Sequence, residues 1–184
     1  MKKIWLVGLM VGLMIGLWGN INLASAEGFL GFDGSYGGKY DKGGLGFEIG
    51  KVQSRTDEHL GWLASIGISS IFPGGTPSGL LDYPCPHGYR VVGDYADNGA
   101  TEVFLKGGIE TIKNLFLVAG VGCGGATEVQ VSRSLATGWY YTERKRTEVY
   151  GSGMGELRYV GKKWLIGLGY HSRRGGYISF GGKF

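Results

Sequence analysis

The sequence predicts an all-β protein: an eight-stranded antiparallel, up-and-down β-barrel that spans a membrane and follows an N-terminal signal peptide. Three observations predict this fold. Apolar residues alternate with polar or small ones at a period of two over much of residues 27–184, which is the pattern of half-buried strands. The chain begins with a cationic and then apolar leader. It finishes on an alternating segment whose last residue is Phe184.

The leader has the three parts of a secretory signal peptide. Residues 1–3 are Met-Lys-Lys, residues 4–18 form an apolar run, and residues 24–26 are Ala-Ser-Ala, a small-x-small cleavage pattern. A membrane anchor is the alternative, but a helix that spans a bilayer needs about 20 apolar residues. The sequence therefore predicts a signal peptide at 1–26 and one exported barrel domain at 27–184.

Seven segments before the last one carry the alternation, and each ends at a polar or glycine-rich connection. Their apolar positions, in chain order, are Leu30, Phe32 and Tyr36; Leu45, Phe47 and Ile49; Leu60, Trp62, Ala64, Ile66 and Ile68; Val103, Leu105 and Ile109; Leu115, Leu117, Ala119 and Val121; Val149, Leu157 and Tyr159; and Trp164, Ile166, Leu168 and Tyr170. The eighth segment is GGYISFGGKF, with Ile178, Phe180 and Phe184 on one parity.

The connections alternate in length. The second, fourth and sixth are compact, with tight turns at 113–114 and 161–162. The third, an irregular segment at 73–100, and the fifth, a loop at 133–142, are long and lie on the opposite side. Outer-membrane barrels have short periplasmic turns and longer extracellular loops, so this alternation predicts that both ends of the barrel domain lie in the periplasm.

Charged residues share the parity opposite to the apolar set. An eight-stranded barrel is just wide enough for its interior to be filled by side chains, so these residues predict a charge-paired plug. The predicted lumen charge cluster consists of Glu48, Glu102, Lys106, Glu110, Glu156 and Arg158. Pairing alone explains buried charges, and we favour it over acid–base catalysis. The alternative architecture is a soluble β-sandwich or lipocalin-like barrel, in which the apolar set faces inward.

The last strand resembles the β-signal of bacterial outer-membrane proteins, with Tyr177, Phe180 and Phe184 as its C-terminal assembly signal. Residues 27–184 as a whole resemble the small eight-stranded barrels of the OmpA/OmpX type. The resemblance implies insertion by the barrel-assembly machinery and a location in the bacterial outer membrane. It also implies contact with outer-membrane lipid and lipopolysaccharide, but it does not imply an activity.

His171 and Ser172 are weak catalytic candidates. Tyr170-His171-Ser172 loosely resembles the His-x-Ser-Asn motif of the outer-membrane lipid A 3-O-deacylase, in which the His activates the Ser. Neighbouring residues on a strand point to opposite faces, and Arg173 follows where the motif has Asn. The sequence thus provides no convincing catalytic constellation, and an enzyme is the less favoured interpretation.

No cofactor, metal site or nucleic-acid partner is predicted. The glycines open no helix that could bind phosphate, and Cys85-Pro86-His87 lacks the second pair that a zinc site requires. Loss of Lys2 and Lys3 with the leader reduces the 19 basic residues to 17, against 15 acidic ones, a net charge of +2. A balance this close to neutrality does not predict binding to nucleic acid.

The loops are where recognition is expected. One hypothesis is that basic residues contact lipopolysaccharide phosphates; the alternative is a solvated rim. These residues are Arg144, Lys145, Arg146, Arg173 and Arg174. Cys85 and Cys123 are candidates for a disulfide in an oxidising compartment, or else two unrelated thiols.

The predicted function is structural, in envelope integrity, or adhesive, through recognition of an extracellular ligand by the loops. The first alternative is a lipid A-modifying hydrolase of the deacylase kind. The second is a narrow pore, which would require gaps among the lumen charges.

Overall fold

The computed structural model describes residues 26–57, 59–73, 76–86 and 88–184, so the predicted signal peptide lies almost wholly outside the described residues. The described residues form eight strands: β1 (Glu27–Gly37), β2 (Lys42–Gln53), β3 (Trp62–Ile71), β4 (Tyr89–Ile112), β5 (Leu115–Ser134), β6 (Tyr140–Val160), β7 (Trp164–His171) and β8 (Gly175–Lys183). Consecutive strands pair antiparallel, and β8 pairs with β1, so the sheet closes into a barrel. The predicted strand number, order and closure are confirmed.

The connections alternate between the two ends of the barrel, as the predicted strand order requires. We call the base the end that holds Glu27, Lys183 and the connections 54–61, 113–114 and 161–163. The rim is the opposite end, with the connections 38–41, 72–88, 135–139 and 172–174. No helix within the described part of the chain is long and apolar enough to cross a membrane.

The apolar set lies on the outside of the barrel. Phe32, Ile178 and Leu168 are 61%, 60% and 66% exposed, whereas Glu48 and Lys106 on the inner face are 3% and 1% exposed. Phe32 of β1 lies opposite Phe47 of β2, and their ring centroids are 5.2 Å apart on the outer surface. The alternative architecture, in which the apolar set faces inward, is therefore wrong.

Glycines on the inner face make room for large side chains. A Cβ at Gly67 would collide with the Phe104 ring, and one at Gly46 would collide with the carboxylate of Asp33. Because interior space is so limited, a large inward side chain requires a small residue on a neighbouring strand.

Strands β4, β5 and β6 are much longer than the others. They have 24, 20 and 21 residues, against 8 to 12 in the other five. The end of β3, Ile71, lies opposite Ala100, so the first residues of β4 continue past it. They pair with residues 127–134 of β5, which extend for about 26 Å at ~3.3 Å per residue. We call this three-stranded sheet, residues 89–99, 127–134 and 140–147, the protrusion.

The predicted irregular segment at 73–100 and loop at 133–142 are therefore partly wrong. Irregular chain ends at residue 88, and the loop is confined to 135–139. The period of two is lost in β4 because its register against β5 shifts between Val91 and Gly93 and again between Ala96 and Ala100. Pairing with β5, which is distant in sequence from the start of β4, makes this segment a strand.

We expect the folded barrel to resist SDS until it is heated, because every strand is bonded on both sides and the ring has no free edge. The chain should migrate at different positions on SDS gels with and without boiling, and the shift should be found in the outer-membrane fraction. A chain found in the soluble periplasmic fraction, with no shift on heating, would contradict an apolar face turned towards lipid.

Candidate functional site

Two cations and two carboxylates form a neutral ion-pair network at mid-height in the barrel. Arg158 lies 2.6 Å from Glu48 and 2.7 Å from Glu156, and Lys106 lies 3.3 Å and 3.2 Å from the same two carboxylates. All four side chains are buried. Their strands, β2, β4 and β6, are brought together only by closure of the barrel. The predicted lumen charge cluster is thus present in its central part.

Neighbouring polar and aromatic groups saturate this network. Ser65 donates to Glu48 over 2.9 Å, and Tyr177 donates to Glu156 over 3.0 Å. The ammonium of Lys106 lies 5.0 Å and 5.1 Å from the ring centroids of Phe104 and Tyr177. A fully bonded buried network rigidifies a core, and it leaves these carboxylates no unpaired oxygen that faces a substrate. The arrangement is structural.

Glu110, placed in the same cluster by its parity, lies elsewhere. It is buried at the base, where its carboxylate accepts hydrogen bonds from the backbone N–H groups of Arg55 and Asn114. Asn114 holds a left-handed conformation, φ 66°, in the turn between β4 and β5. Glu110 therefore stabilises two basal connections, and its inclusion in the charge cluster was wrong because parity gives the face of a residue but not its height.

An apolar layer fills the interior below the network, which the sequence analysis did not predict. It consists of Phe29, Val52, Leu63, Phe116, Val118, Val160 and Leu165, all buried. The sequence contains a signal for this layer, because near the basal ends of the strands the inward positions are apolar as well as the outward ones. Arg158 stands over this layer, with its guanidinium 5.7 Å from the ring centroid of Phe29.

His171 holds the turn between β7 and β8. Its Nδ1 accepts the backbone N–H groups of Arg173 and Arg174, each over 3.1 Å, and its Nε2 lies 2.8 Å from Glu102. Because Nδ1 accepts two donors it carries no proton, so Nε2 carries one and donates it to the carboxylate. Both ring nitrogens are thus occupied by structural bonds.

Ser172 lies on the opposite side of the strand from His171. It is exposed, and its hydroxyl accepts the backbone N–H of Gly153 over 3.1 Å. The structure therefore does not bring the two weak catalytic candidates together, as the strand geometry indicated.

Arg174 is buried and ion-pairs with Asp33. It cannot contact lipopolysaccharide at the surface, and its assignment to that group was wrong. The turn 172–174 is so short, and so tightly held by His171, that its third residue re-enters the barrel.

The rim is bridged by further ion pairs. Lys39, from the connection between β1 and β2, reaches Glu128 of β5 and Glu148 of β6. Burial lowers the pKa of Lys39, but its bonds to these two carboxylates outweigh burial and raise that pKa above its ordinary value. Arg146 pairs with Glu128, and Arg173 pairs with Glu148, each at 3.2 Å.

Two of the residues predicted to contact lipopolysaccharide, Arg146 and Arg173, thus form ion pairs within the protein. Arg173 is largely buried by its pair, whereas Arg144, Lys145 and Arg146 remain exposed on the protrusion. In the C-terminal assembly signal, Phe180 and Phe184 point outward, and Tyr177 points into the interior.

The candidate disulfide is not formed. Cys123 is exposed on the outer wall, opposite Val103 and Gly151. The backbone N–H of Cys85 donates to Glu143, which also accepts a bond from Ser132. Ser132 is about nine residues further along β5 than Cys123, which is about 30 Å of strand. A disulfide requires Cα atoms within about 7 Å, so the prediction was wrong.

The loop before β4 braces the protrusion. Leu81 forms a bridge with Tyr141 of β6, through hydrogen bonds of 3.0 Å and 2.9 Å to the two neighbouring residues. Tyr83 packs edge-on against the Tyr141 ring at 5.5 Å. This contact covers an edge of β6 that β7 is too short to pair, so the protrusion is a braced sheet.

No family model matches the chain, and a search of the curated proteins gave no match. Among solved structures, the chain is similar to Ail, the attachment invasion locus protein of Yersinia pestis, in complex with the heparin analogue sucrose octasulfate. The TM-score is 0.37 at 10% identity, covering 86% of this chain and 96% of Ail. A likeness at this level transfers no ligand. The closed ring of eight strands is nevertheless the architecture of the OmpA/OmpX-type barrels that the sequence resembles.

Replacement of Arg158 should strongly destabilise the barrel. In Arg158→Met, Glu48 and Glu156 keep only Lys106 as a buried cation, so we expect a loss of about 3–5 kcal/mol in the free energy of unfolding. Urea titration of the protein in detergent micelles, followed by tryptophan fluorescence, measures this loss. Arg55→Met in a basal connection is the matched control and should change stability little. A loss below about 1 kcal/mol for Arg158→Met would contradict the network's structural role.

His171→Ala should leave lipid A acylation unchanged in cells that produce the variant, because His171 activates no nucleophile. Mass spectrometry of extracted lipid A tests this. The heat-dependent gel shift of the same variant reports whether it folds. One result would contradict this: the unaltered chain changes lipid A acylation, and His171→Ala still folds but no longer produces that change. His171 would then have a catalytic role.

Proposed function

We propose that this chain is an outer-membrane β-barrel with a filled interior, and that its function is recognition of an extracellular ligand by the protrusion. The observation that carries this proposal is the length of β4, β5 and β6. A strand needs about 9–11 residues to cross a bilayer, and these three have at least 20. A purely structural barrel has no use for the additional residues.

The outer surface supports the membrane location. Exposed apolar side chains surround the barrel, among them Leu30, Phe32, Phe47, Ile49, Ile66, Val103, Leu117, Leu157, Ile166, Leu168, Ile178 and Phe180. Soluble monomers rarely expose continuous apolar surface of this extent. Tyr159 and Trp164 pack 5.3 Å apart near the base, and Tyr36 and Tyr170 lie near the rim, as interfacial girdles require. The predicted signal peptide and assembly signal are consistent with this location.

The interior argues against the alternatives of a pore and an enzyme. From base to rim it holds an apolar layer, the neutral network, the Glu102–His171 and Asp33–Arg174 pairs, and the ion pairs of Lys39. Ion conduction would require these pairs to separate. Hydrolysis would require a nucleophile beside His171, both of whose ring nitrogens are bonded.

The protrusion has the properties of a recognition surface. It is braced by Leu81 and Tyr83, so little conformational entropy is lost when a ligand binds. It also exposes large side chains at its tip, including Leu135 and Trp139 at 74% and 61% exposure. Exposed aromatic residues on a rigid frame are typical of binding surfaces.

The test is a trimmed chain in which a short turn joins Ile71 to Ala100 and another joins Ala126 to Glu148. The barrel should still fold, with an unchanged heat-dependent gel shift, because all pairing at and below these residues is retained. Bacteria that display the full chain should bind to a panel of immobilised glycans and matrix proteins above the level of cells without it, and the trimmed chain should abolish that gain.

Two results would contradict the proposal. One is binding by the trimmed chain equal to that of the full chain, or no gain by the full chain over cells that lack it. The other is a reproducible open level in planar-bilayer recordings of the full chain, which would indicate a pore.

A further inference from the structure

A cleft of about 470 Å³ lies at the tip of the protrusion. Arg90 of β4, Arg133 of β5 and Tyr140 of β6 line it, with Val92 and Leu135 as its aliphatic part. Among the described residues that line it, none is acidic. A concave surface with apolar walls and a few convergent polar groups is the usual form of a small-molecule site.

The two arginines lie directly opposite each other in the β4–β5 ladder. Such pairs place their Cβ atoms about 5 Å apart on one face of the sheet, and two like charges there repel each other. Neither guanidinium forms an ion pair with a carboxylate whose side chain the structure describes. By contrast, Arg158, Arg173 and Arg174 each have an acidic partner. The tip therefore concentrates positive charge that no described carboxylate compensates.

Arg133 is held in position to bind. Its Nε donates to the carbonyl of Gly138 over 3.0 Å, and its guanidinium lies 5.7 Å from the ring centroid of Tyr140. The turn is fixed in its own right, because Ser134 accepts the N–H groups of Ala136 and Thr137 at its hydroxyl, each over 3.2 Å. One guanidinium donor is thus used for positioning, and the terminal N–H groups remain for a ligand.

We propose that this cleft binds a phosphate or sulfate monoester carried on a saccharide, an inference that rests on the proposed function of the protrusion. Paired guanidiniums match the two negative charges and the geometry of a tetrahedral oxyanion, which they bind bidentately. The Tyr140 ring and the aliphatic wall match the body of a sugar. The tip lies about 26 Å beyond the end of β3, along residues 127–134 of β5, which separates it from the headgroups of the membrane that holds the barrel.

Titration of the full-length protein in nanodiscs at low salt, followed by NMR, tests this site with four probes: glucose 6-phosphate, glucose 6-sulfate, glucose and inorganic phosphate. Both esters should bind and shift the signals of the tip, whereas glucose should not. Inorganic phosphate should bind more weakly than the esters, because it makes no contact with the apolar wall. Equal affinity for inorganic phosphate, or binding of glucose, would overturn the proposal.

Arg90→Gln and Arg133→Gln should each weaken ester binding about tenfold or more, since each removes a charge-assisted bond. Arg55→Gln, at the base, makes the same change in net charge and should leave binding unaltered. All three should keep the heat-dependent gel shift, because the exchanged side chains are exposed. If Arg90→Gln and Arg133→Gln bind the esters as tightly as Arg55→Gln does, the proposed site is wrong.

Two oligosaccharides separate the sources of the anion. A phosphorylated oligosaccharide released from the bacterium's own lipopolysaccharide represents the cell surface, and a sulfated hexasaccharide represents a foreign one. The protein should bind one of the two oligosaccharides more tightly, and Arg90→Gln and Arg133→Gln should lose that tighter binding. If the trimmed chain loses surface recognition while both arginine variants retain it, the oxyanion site is wrong and the proposed function stands.

Discussion

The fold depends on one constraint: in the proposed lipid environment, every backbone N–H and C=O group of a strand needs a partner on another strand. The pairing of β1 with β8, from Phe29 opposite Lys183 to Tyr36 opposite Gly176, meets this constraint by removing the last free edge. Closure with eight strands then leaves an interior only as wide as its side chains. Any charge on the inner face has to be neutralised within that space, which is why Arg158 and Lys106 each contact both Glu48 and Glu156.

The interior is ordered by height. Apolar side chains fill the base, the neutral network lies above them, and Glu102–His171 and Asp33–Arg174 follow towards the rim. Lys39 bonds the connection between β1 and β2 to β5 and β6 at the rim. The backbone N–H of Lys39 also donates to the carbonyl of Arg173 over 3.1 Å. Stability and closure of the barrel thus come from contacts within the barrel, to which the protrusion adds Glu128 as a partner of Lys39.

Charge is treated differently in the two parts of the molecule. Inside the barrel, an unpaired charge would cost several kcal/mol. Glu48, Glu156 and Asp33 are therefore paired with cations, whereas Glu102 and Glu110 are satisfied by hydrogen-bond donors. At the tip of the protrusion, water solvates Arg90 and Arg133 and weakens the repulsion between their guanidinium groups. An anion bound between them would remove the remaining repulsion. Among the described residues, no ion pair links Arg90 or Arg133 to the barrel, so these two positions can vary without loss of the fold.

The sequence by itself determined the faces of the strands, their number and their order around the barrel. The period of two is a local property, so Phe32 and Ile178 could be placed outside and Glu48 and Lys106 inside. Only the tertiary structure decided height and partnership. It places Glu110 at the base, Arg174 in the interior and Cys85 far from Cys123, and it shows that residues 89–99 form a strand. Each of these outcomes depends on register between segments distant in sequence, which local alternation does not encode.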